Sequence, residues 1–504
     1  MKWYLRMQPP RPTLTYRWQT LIVAGIPSAF ALLLYGLLLP RELSWANWNG
    51  DGGDFLAAIL TGGVPHPTGY PTYVLLGRLF QVIPFGTPVW RGALLSALPA
   101  ALAAGLLSLW AARVALEGRR AAVAGGLAAG LSWAAAPLVW GQAVSVEVHG
   151  LNSLFAVLGL WGFTCLAEGR ARSRWAAFFA LAYGVGLGKH LTLGLLLPLL
   201  VWGAFLGRKG IPIRRWLELA ACLLAGLGVY LSLPLAAQAY PAVNWGNPQT
   251  PAGLWWVLSG APYRGLLLSA PETGVLARLA AFARLMTLQF WGVGLPAVIG
   301  GAVMVPPGRR DARNALLYLL LVYSVFALAY NTADSLVYLL PALMAAGVWL
   351  GCAWAALIEQ PGRWARAAVI LLAAAWLAAL PFNGAQVNPR RDGRAAAYQA
   401  RILSQSPQGA FILTQGDADT FPLWFAHFGL RQRPDLRVVV GPLVQFAWYR
   451  ETLARVYPDL VLPGDNARGD QVPGLNPLRP LCRTTPDAAL PEGVRIDCSA
   501  GAAP

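Results

Sequence analysis

The feature that most constrains this chain is a series of long stretches without Asp, Glu, Lys or Arg. A helix needs about 20 apolar residues to cross a lipid bilayer. Only 12% of the 504 residues are charged, about half the share in a soluble chain, which excludes a disordered chain and argues against a soluble enzyme. The pattern predicts an all-α polytopic membrane protein with about eleven transmembrane helices, at 18–40, 92–112, 121–146, 148–167, 175–188, 190–207, 219–240, 285–308, 314–333, 335–358 and 367–389.

The net charge of +17 indicates the positive-inside bias of a membrane protein rather than nucleic-acid binding. With the N-terminus in the cytoplasm, the inner loops hold 19 basic and five acidic residues, whereas the outer loops up to residue 383 hold seven and six. The apolar segment 71–85 carries Arg78 and is predicted to be a helix on the outer membrane surface, because a span there would invert the later loops. We therefore predict a multi-pass protein of the plasma membrane.

Two domains are expected: a transmembrane domain over residues 1–383 and an extracytoplasmic C-terminal domain over 384–504. The second has no spanning run, and its short apolar runs at 410–414 and 437–440 flank a predicted helix at 420–428. This pattern predicts a small α/β domain, with a partly disordered Pro/Gly-rich end from Pro463 onward.

Two of the five cysteines, Cys482 and Cys498, lie in this C-terminal region. In an oxidising outer compartment they are compatible with a disulfide, although two free thiols fit the sequence nearly as well. The chain has no Cys/His spacing typical of a metal site.

The predicted topology gathers polar residues at the outer ends of helices. Such ends attract polar side chains for structural reasons, as caps and dipole partners. The inner ends, however, are nearly all arginine, which favours a functional site on the outer side. The gathered residues are Asp51, Asp54, His66, Glu147, His149, Lys189, His190, Asn331 and Asp334.

The first outer loop is the densest of these regions. Asp51 and Asp54 are three residues apart, so they share one side of a turn or of a starting helix. Each is readable as a catalytic carboxylate or as a helix N-cap. The intervening glycines allow a close approach of the backbone to a ligand.

Three further groups carry candidate residues. Glu147, beside His149, could bind a sugar hydroxyl or orient a base, or could simply favour a helix N-terminus. Lys189 and His190 end a short helix at the depth of a phosphate head group, with a snorkelling lysine as the structural alternative. The long loop 238–284 carries Trp245 and Arg264 within aromatic strings that suit either an interfacial belt or an isoprenoid or carbohydrate groove.

At these positions the chain resembles the membrane protein family related to the transmembrane protein O-mannosyltransferases. The family strings are Asp-Ser-Gly-Glu-Phe, His-Pro-Pro-Gly-x-Pro-Leu-Tyr, Glu-Val-Tyr and Asn-Trp-Gly-Asp-Pro. Asp54 stands where the family has Glu, which leaves open whether Asp51 or Asp54 is the base. The similar strings here are Asp51-Gly52-Gly53-Asp54-Phe55, His66-Pro67-Thr68-Gly69-Tyr70-Pro71-Thr72-Tyr73, Glu147-Val148-His149, residues 244–248 with Tyr263-Arg264, and residues 416–424.

The resemblance implies a C-type glycosyltransferase fold and transfer of a sugar, mannose in the family, from a polyprenyl phosphate to a protein or glycan acceptor on the outer face. No cofactor is expected beyond this lipid-linked co-substrate. The implied base is Asp51 or Asp54. The implied donor-binding residues are His66, Glu147, His149, Lys189, His190 and Arg264, with Tyr70, Trp245, Asn331 and Asp334 as further candidates.

Two other classes of protein remain open from the sequence. A lipid or sugar transporter would place charges at mid-membrane on broken, repeated helices, and the sequence shows neither mid-span charges nor a repeat. An inactive scaffold that binds a partner through its outer domain would keep the same fold without the activity.

Overall fold

The computed structural model describes residues 17–269, 274–465, 467–486 and 493–500. Lys2, Arg6, Arg11 and Glu272, which enter the charge counts above, lie outside these ranges. The helices of the described chain, apart from short 3-10 and π turns, are α1 Arg17–Gly36, α2 Gly52–Thr61, α3 Pro71–Phe80, α4 Pro88–Trp110, α5 Arg119–Ala134, α6 Pro137–Ala143, α7 His149–Ala167, α8 Arg174–Leu187, α9 Leu197–Gly207, α10 Ile213–Leu227, α11 Ser232–Gln238, α12 Pro251–Leu258, α13 Val275–Gln289, α14 Gly294–Val303, α15 Arg310–Ala329, α16 Leu340–Glu359, α17 Arg363–Val387, α18 Arg394–Gln405, α19 Asp417–Trp424, α20 Ala447–Val456 and α21 Val472–Leu475.

All eleven apolar runs contain helices, but they do not all make full-length spans. Within the described ranges, seven helices are long and apolar enough to cross a membrane, or nine if α5 with α6 and α13 with α14 each count as one span, bent by 64° and 93°. The runs at 175–188 and 190–207 correspond to the shorter apolar helices Arg174–Leu187 and Leu191–Gly207. They are separated because the backbone of His190 is extended, which ends the helical path there.

Helix α16 lies at the centre of the membrane domain. It is 89% buried over its apolar window, whereas α17 is only 11% buried and presents most of its surface outward. A Cβ at Gly351 of α16 would overlap the carbonyl of Gly125 in α5, and the reverse also holds. These glycines therefore allow the two backbones to pack directly against each other, as is typical of membrane helices.

The predicted surface segment 71–85 is a helix only over Pro71–Phe80. Tyr73 and Val74 are buried on one side of α3, while Leu75 and Leu79 are exposed on the other. At ten residues α3 is too short to span a bilayer, which agrees with the prediction that this segment does not cross.

The C-terminal domain begins after α17, which continues beyond the predicted boundary at residue 383 to Val387. Its sheet has the order β2-β1-β3-β4, in which β1 is parallel to β2 and β3, and β4 is antiparallel to β3. The strands are β1 Phe411–Thr414, β2 Arg437–Val440, β3 Leu481–Pro486 and β4 Val494–Ser499. The two short apolar runs are thus strands, and the predicted helix at 420–428 corresponds to α19 and the turn after it.

The end of the chain was expected to be partly disordered from Pro463 onward, but its described parts contain β3 and β4. Cys482 and Cys498 face each other in this pair and are joined by a disulfide. Strand β3 pairs with β1 and β4 pairs with β3, and polar residues interrupt both strands, so apolar periodicity does not reveal them.

The C-terminal domain packs directly on α2 of the membrane domain. A Cβ at Gly53 would overlap the backbone of Phe421 in α19, so only glycine allows this approach. Gly53 therefore serves a contact between the two domains, whereas a Cβ at Gly50 in the same loop would meet no atom within 4 Å.

Candidate functional site

The imidazole of His66 connects the two carboxylates of the first loop. Its Nδ1 lies 2.7 Å from Oδ2 of Asp54, and its Nε2 lies 3.5 Å from Oδ2 of Asp51. The hydroxyl of Tyr70 is also within 3.0 Å of Nε2. Hydrogen bonds thus join positions 54, 66 and 70, and Asp51 joins this group through its ion pair with His66.

Asp54 is fully buried and its hydrogen-bonding capacity is largely used within the protein. Its Oδ2 accepts from the backbone N–H of His66 at 2.9 Å as well as from the ring, and its Oδ1 accepts from Nε1 of Trp245 at 3.2 Å. The loop of Trp245 is held there because the backbone N–H of Trp245 donates a hydrogen bond to the backbone carbonyl of Val64. This environment suits a residue that orients His66.

Asp51 has a different environment. Its side chain is 34% exposed and its contact in this group is the His66 ring. It occupies the N-cap position of α2, but its side chain makes no capping hydrogen bond. Asp51 is therefore the carboxylate of the pair that is available to a substrate.

Burial and neighbouring charges shift the pKa values of both members of the Asp51–His66 pair. Burial raises the pKa of Asp51 to about 7, an effect that His66 opposes and that the nearby carboxyls of Asp417, Asp334 and Asp54 increase. Burial alone would lower the pKa of His66, but Asp51 and Asp54 together raise it to about 9. Between these values Asp51 is ionised while His66 is protonated.

A second group of polar residues lies around Lys189. The side chain of Lys189 is fully buried, and its Nζ has no hydrogen-bond partner in the described part of the chain. It interacts electrostatically with Glu147, which also interacts with Asp51. A buried ammonium without a hydrogen-bond partner is costly and is well suited to an anionic ligand.

Aromatic rings link the two groups. The Tyr70 ring lies 5.0 Å from His66 and 5.7 Å from His190, and the His190 ring lies 6.3 Å from His149. The loop of Tyr70 is tied to the end of α8 because the N–H of Thr72 donates to the carbonyl of Gly188 at 3.1 Å. The break before His190 therefore places Lys189 beside the His66 loop.

Glu147 is held by its backbone in the turn that precedes α7. The Ser96 hydroxyl donates to the carbonyl of Glu147 at 2.6 Å, and the N–H of Glu147 lies 3.2 Å from the same hydroxyl oxygen. Within the described chain, the carboxylate accepts one hydrogen bond, from the N–H of Val148 at 3.3 Å. Its position and spare acceptor capacity fit the predicted role in binding a sugar hydroxyl.

Other predicted residues are arranged less closely. Arg264 is exposed, and its guanidinium lies 5.8 Å from the ring centroid of Trp255 and donates to the carbonyl of Ser259. Neither of these partners belongs to the His66 group. Asn331 accepts a hydrogen bond from Arg278 at 3.2 Å, a contact that favours a structural role. Asp334 interacts electrostatically with both Asp51 and Glu147 and so borders the site.

The structure adds residues to which the sequence assigned no role. Phe421 of α19 is stacked on His66 with a centroid distance of 6.0 Å, and the Tyr263 ring lies 6.3 Å from it. Asp417, one turn before Phe421, interacts electrostatically with His66. Asp417 and Phe421 lie in the string at 416–424 that resembles the family. This resemblance was the sequence signal that could have identified them as site residues.

Comparisons with known proteins agree with this arrangement. Residues 51–210 match the family model described as the Protein O-mannosyl-transferase TMEM260 N-terminal domain, and residues 395–462 match TMEM260-associated domain 2. The mouse Protein O-mannosyl-transferase TMEM260 is 27% identical over 491 residues, which cover 91% of this chain and 68% of the mouse protein. The resemblance identified in the sequence, and with it the class of membrane glycosyltransferases, is confirmed.

Solved structures show the same fold at low sequence identity. ArnT from Cupriavidus metallidurans bound to undecaprenyl phosphate has a TM-score of 0.59 and 17% identity, with 91% of this chain and 92% of that chain covered. The archaeal oligosaccharyltransferase AglB from Archaeoglobus fulgidus, in complex with an inhibitory peptide and a dolichol-phosphate, has a TM-score of 0.50 and 11% identity, with 84% and 64% covered. The predicted C-type glycosyltransferase fold with a small C-terminal α/β domain is confirmed.

Proposed function

We propose that this chain is a polyprenyl-phosphate-sugar-dependent glycosyltransferase, similar to protein O-mannosyltransferases, that acts on the outer face of the plasma membrane. The observation that carries the proposal is the pairing of an accessible carboxylate with a buried cation. The side chain of Asp51 is 34% exposed, Lys189 has a buried ammonium without a hydrogen-bond partner in the described chain, and aromatic rings connect the two groups. A base and a phosphate site are the two elements that sugar transfer from a lipid phosphate requires.

The proposed reaction is an inverting displacement. The acceptor hydroxyl oxygen forms a bond to the anomeric carbon of the donor sugar while its proton passes to the carboxylate of Asp51. The bond from the anomeric carbon to the phosphate oxygen breaks, and its electron pair leaves with the polyprenyl phosphate. Lys189, aided by His190, stabilises the negative charge of this leaving group.

Further residues hold the reactants in place. Asp54 fixes the ring of His66 through a 2.7 Å hydrogen bond, and protonated His66 keeps Asp51 ionised and oriented. Glu147 and His149 bind hydroxyls of the sugar between the base and the phosphate site. The isoprenoid tail lies between membrane helices, and no metal or cofactor takes part.

Mannose is the proposed sugar and a protein hydroxyl the proposed acceptor, because the mouse relative carries the name Protein O-mannosyl-transferase. The orientation follows from the positive-inside bias of the loops, which places the C-terminal domain and the site outside the cell.

The direct test is label transfer from radioactive mannosyl undecaprenyl phosphate to acceptors in membranes that contain the wild-type chain. We expect label in the protein fraction with the wild type, and background label with Asp51→Asn. Label that only crosses to the other leaflet, without a new covalent product, would indicate a transporter instead. Equal transfer by the wild type and Asp51→Asn would contradict the mechanism.

A further inference from the structure

The carboxylate of Asp417 belongs to the C-terminal domain but faces the site of the membrane domain. Asp417 and Phe421 are four residues apart on α19, so they lie on the same face of that helix. The ring of Phe421 is stacked on His66 at 6.0 Å, which places this face of α19 over the catalytic group. The side chain of Asp417 is exposed and has no hydrogen bond or ion pair with the described residues.

The segment that carries Asp417 is held rigidly. The carboxylate of Asp419 accepts hydrogen bonds from the N–H of Gly416 at 2.7 Å and of Gln415 at 2.9 Å, and Thr484 of β3 donates to it as well. The contact between Gly53 and the backbone of Phe421 fixes the same helix against α2. Asp417 is therefore displayed at a defined position, which a positioning residue requires.

Asp417 and the cationic group of Lys189 and His190 are connected to His66 through different aromatic rings. The ring of Tyr70 lies between His66 and His190, which adjoins Lys189 in the chain. The ring of Phe421, four residues after Asp417, is stacked on His66. The charges with which Asp417 interacts include His66 and the carboxyls of Asp54, Asp419 and Asp334. A carboxylate would repel the donor phosphate, so the Asp417 side suits the neutral acceptor.

The C-terminal domain has a recess close to Asp417. It has a volume of about 560 Å³ and lies beyond the carboxyl ends of the parallel strands β1 and β2, where open α/β sheets commonly bind ligands. Gln415 lines it and is two residues from Asp417, so their Cα atoms are within about 7 Å. The rest of its described lining is polar or small: Gly441, Pro442, Gln445, Ala467, Arg468, Gly469 and Asp470.

We propose that Asp417 is an acceptor-positioning residue, and that the recess beyond Gln415 receives the polypeptide on one side of the acceptor hydroxyl. This inference rests on the proposed function and assigns the residues that hold its acceptor. The carboxamides of Gln415 and Gln445 offer both donors and acceptors to a peptide backbone. The described lining contains no aromatic ring on which a sugar face could stack, which favours a polypeptide over a glycan.

The test measures acceptor use and donor binding separately in the purified full-length chain. Mannose transfer is followed from mannosyl undecaprenyl phosphate to a pool of synthetic peptides with one central Ser or Thr, with simple glycosides as the alternative acceptors. Donor binding is followed with undecaprenyl phosphate alone. The variants are Asp417→Asn, Asp417→Glu and the recess-filling Gln445→Trp, with Asp497→Asn as a control at an exposed position of β4 in the same domain.

We expect Asp417→Asn to raise the peptide KM and lower kcat/KM at least tenfold, while the affinity for undecaprenyl phosphate changes less than twofold. Asp417→Glu should recover part of the loss, and Asp497→Asn should match the wild type. Gln445→Trp should raise the KM of nine-residue peptides but not of tripeptides.

An active wild type with an unaffected Asp417→Asn variant would overturn the inference alone, as would a parallel loss of undecaprenyl phosphate binding. Transfer to glycosides but not to peptides would overturn the polypeptide assignment. A wild type that transfers no mannose to either acceptor would overturn the proposed function, and the inference with it.

Discussion

Nδ1 of His66 lies 2.7 Å from Oδ2 of Asp54, and this contact assigns different roles to two acids that the sequence left equivalent. Asp54 is buried beneath the ring and oriented by Trp245, while Asp51 meets the other ring nitrogen and remains partly exposed. The arrangement resembles an acid that orients a histidine, with the histidine in turn supporting the reactive group.

Asp51→Asn should lower the rate of transfer by about 10²- to 10⁴-fold, the usual contribution of a general base. Its folded state should be at least as stable as the wild type at pH 8, because the raised pKa of Asp51 means that its ionised form is disfavoured in the folded chain.

Asp54→Asn should lower the rate by about 10²-fold through misplacement of His66. It should also cost about 1–3 kcal/mol of stability, because an asparagine that keeps its oxygen at the Oδ2 position turns its NH₂ group toward the indole N–H of Trp245, which then has no acceptor there.

Mannose transfer and thermal unfolding in detergent measure these effects. A large rate loss for Asp54→Asn with little loss for Asp51→Asn would reverse the assignment.

The pH dependence of transfer should be bell-shaped. The rate should fall as pH drops below about 7, because Asp51 becomes protonated and loses its capacity as a base. It should fall again above about 9, because His66 loses the proton that holds Asp51 in place. The measurement is kcat/KM between pH 5 and pH 10 for the wild type and for His66→Gln.

The variant provides the control for this profile. Removal of the imidazolium should shift the acid limb to higher pH and remove the basic limb. An acid limb near pH 4 in the wild type, the ordinary range of an aspartate, would contradict the role of Asp51.

The sequence predicted the membrane fold, and it pointed to many residues that the structure brings together at the candidate site, because both depend on local signals. Uncharged runs mark helices wherever they occur, and the polar residues near their ends include Asp51, His66, Glu147 and Lys189. It could not distinguish Asp51 from Asp54, since their difference arises from Trp245, 191 positions further along the chain. Asp417 and Phe421 reach the site only through the packing of α19 on α2, which no spacing in the sequence reveals.

Lys189→Met should weaken the binding of undecaprenyl phosphate by about 10- to 100-fold, the effect of losing one charge-assisted hydrogen bond. Methionine fills a similar space, and the buried ammonium no longer has to be desolvated, so the stability should be equal or higher. Lys209→Met, in an exposed loop, is the matched control. Binding of radioactive undecaprenyl phosphate to the purified chain measures both, and equal affinity in both variants would place the phosphate elsewhere.

Cysteine accessibility should show that the C-terminal domain and the loop of Lys209 lie on opposite sides of the membrane. In a background without Cys165, Cys222 and Cys352, an impermeant maleimide should label Ser404→Cys in intact cells and Lys209→Cys only after permeabilisation. Both positions are exposed, so a difference in labelling reports sidedness rather than burial. Labelling of Lys209→Cys in intact cells would invert the proposed topology.

Gly53→Ala should separate the C-terminal domain from the catalytic group. The added methyl group would overlap the backbone of Phe421, which cannot move aside as a flexible side chain would. Helix α19 must therefore shift, which displaces the ring of Phe421 from His66 and carries Asp417 away from the site. Peptide mannosylation should fall by about 10²-fold, as expected for a displacement of about 1 Å.

Gly50→Ala is the control, because a Cβ at Gly50 meets no atom within 4 Å. Undecaprenyl phosphate binding should survive in both variants, since Lys189 and His190 belong to the membrane domain. If Gly53→Ala transfers mannose as well as Gly50→Ala, then the contact between α2 and α19 does not position the catalytic residues.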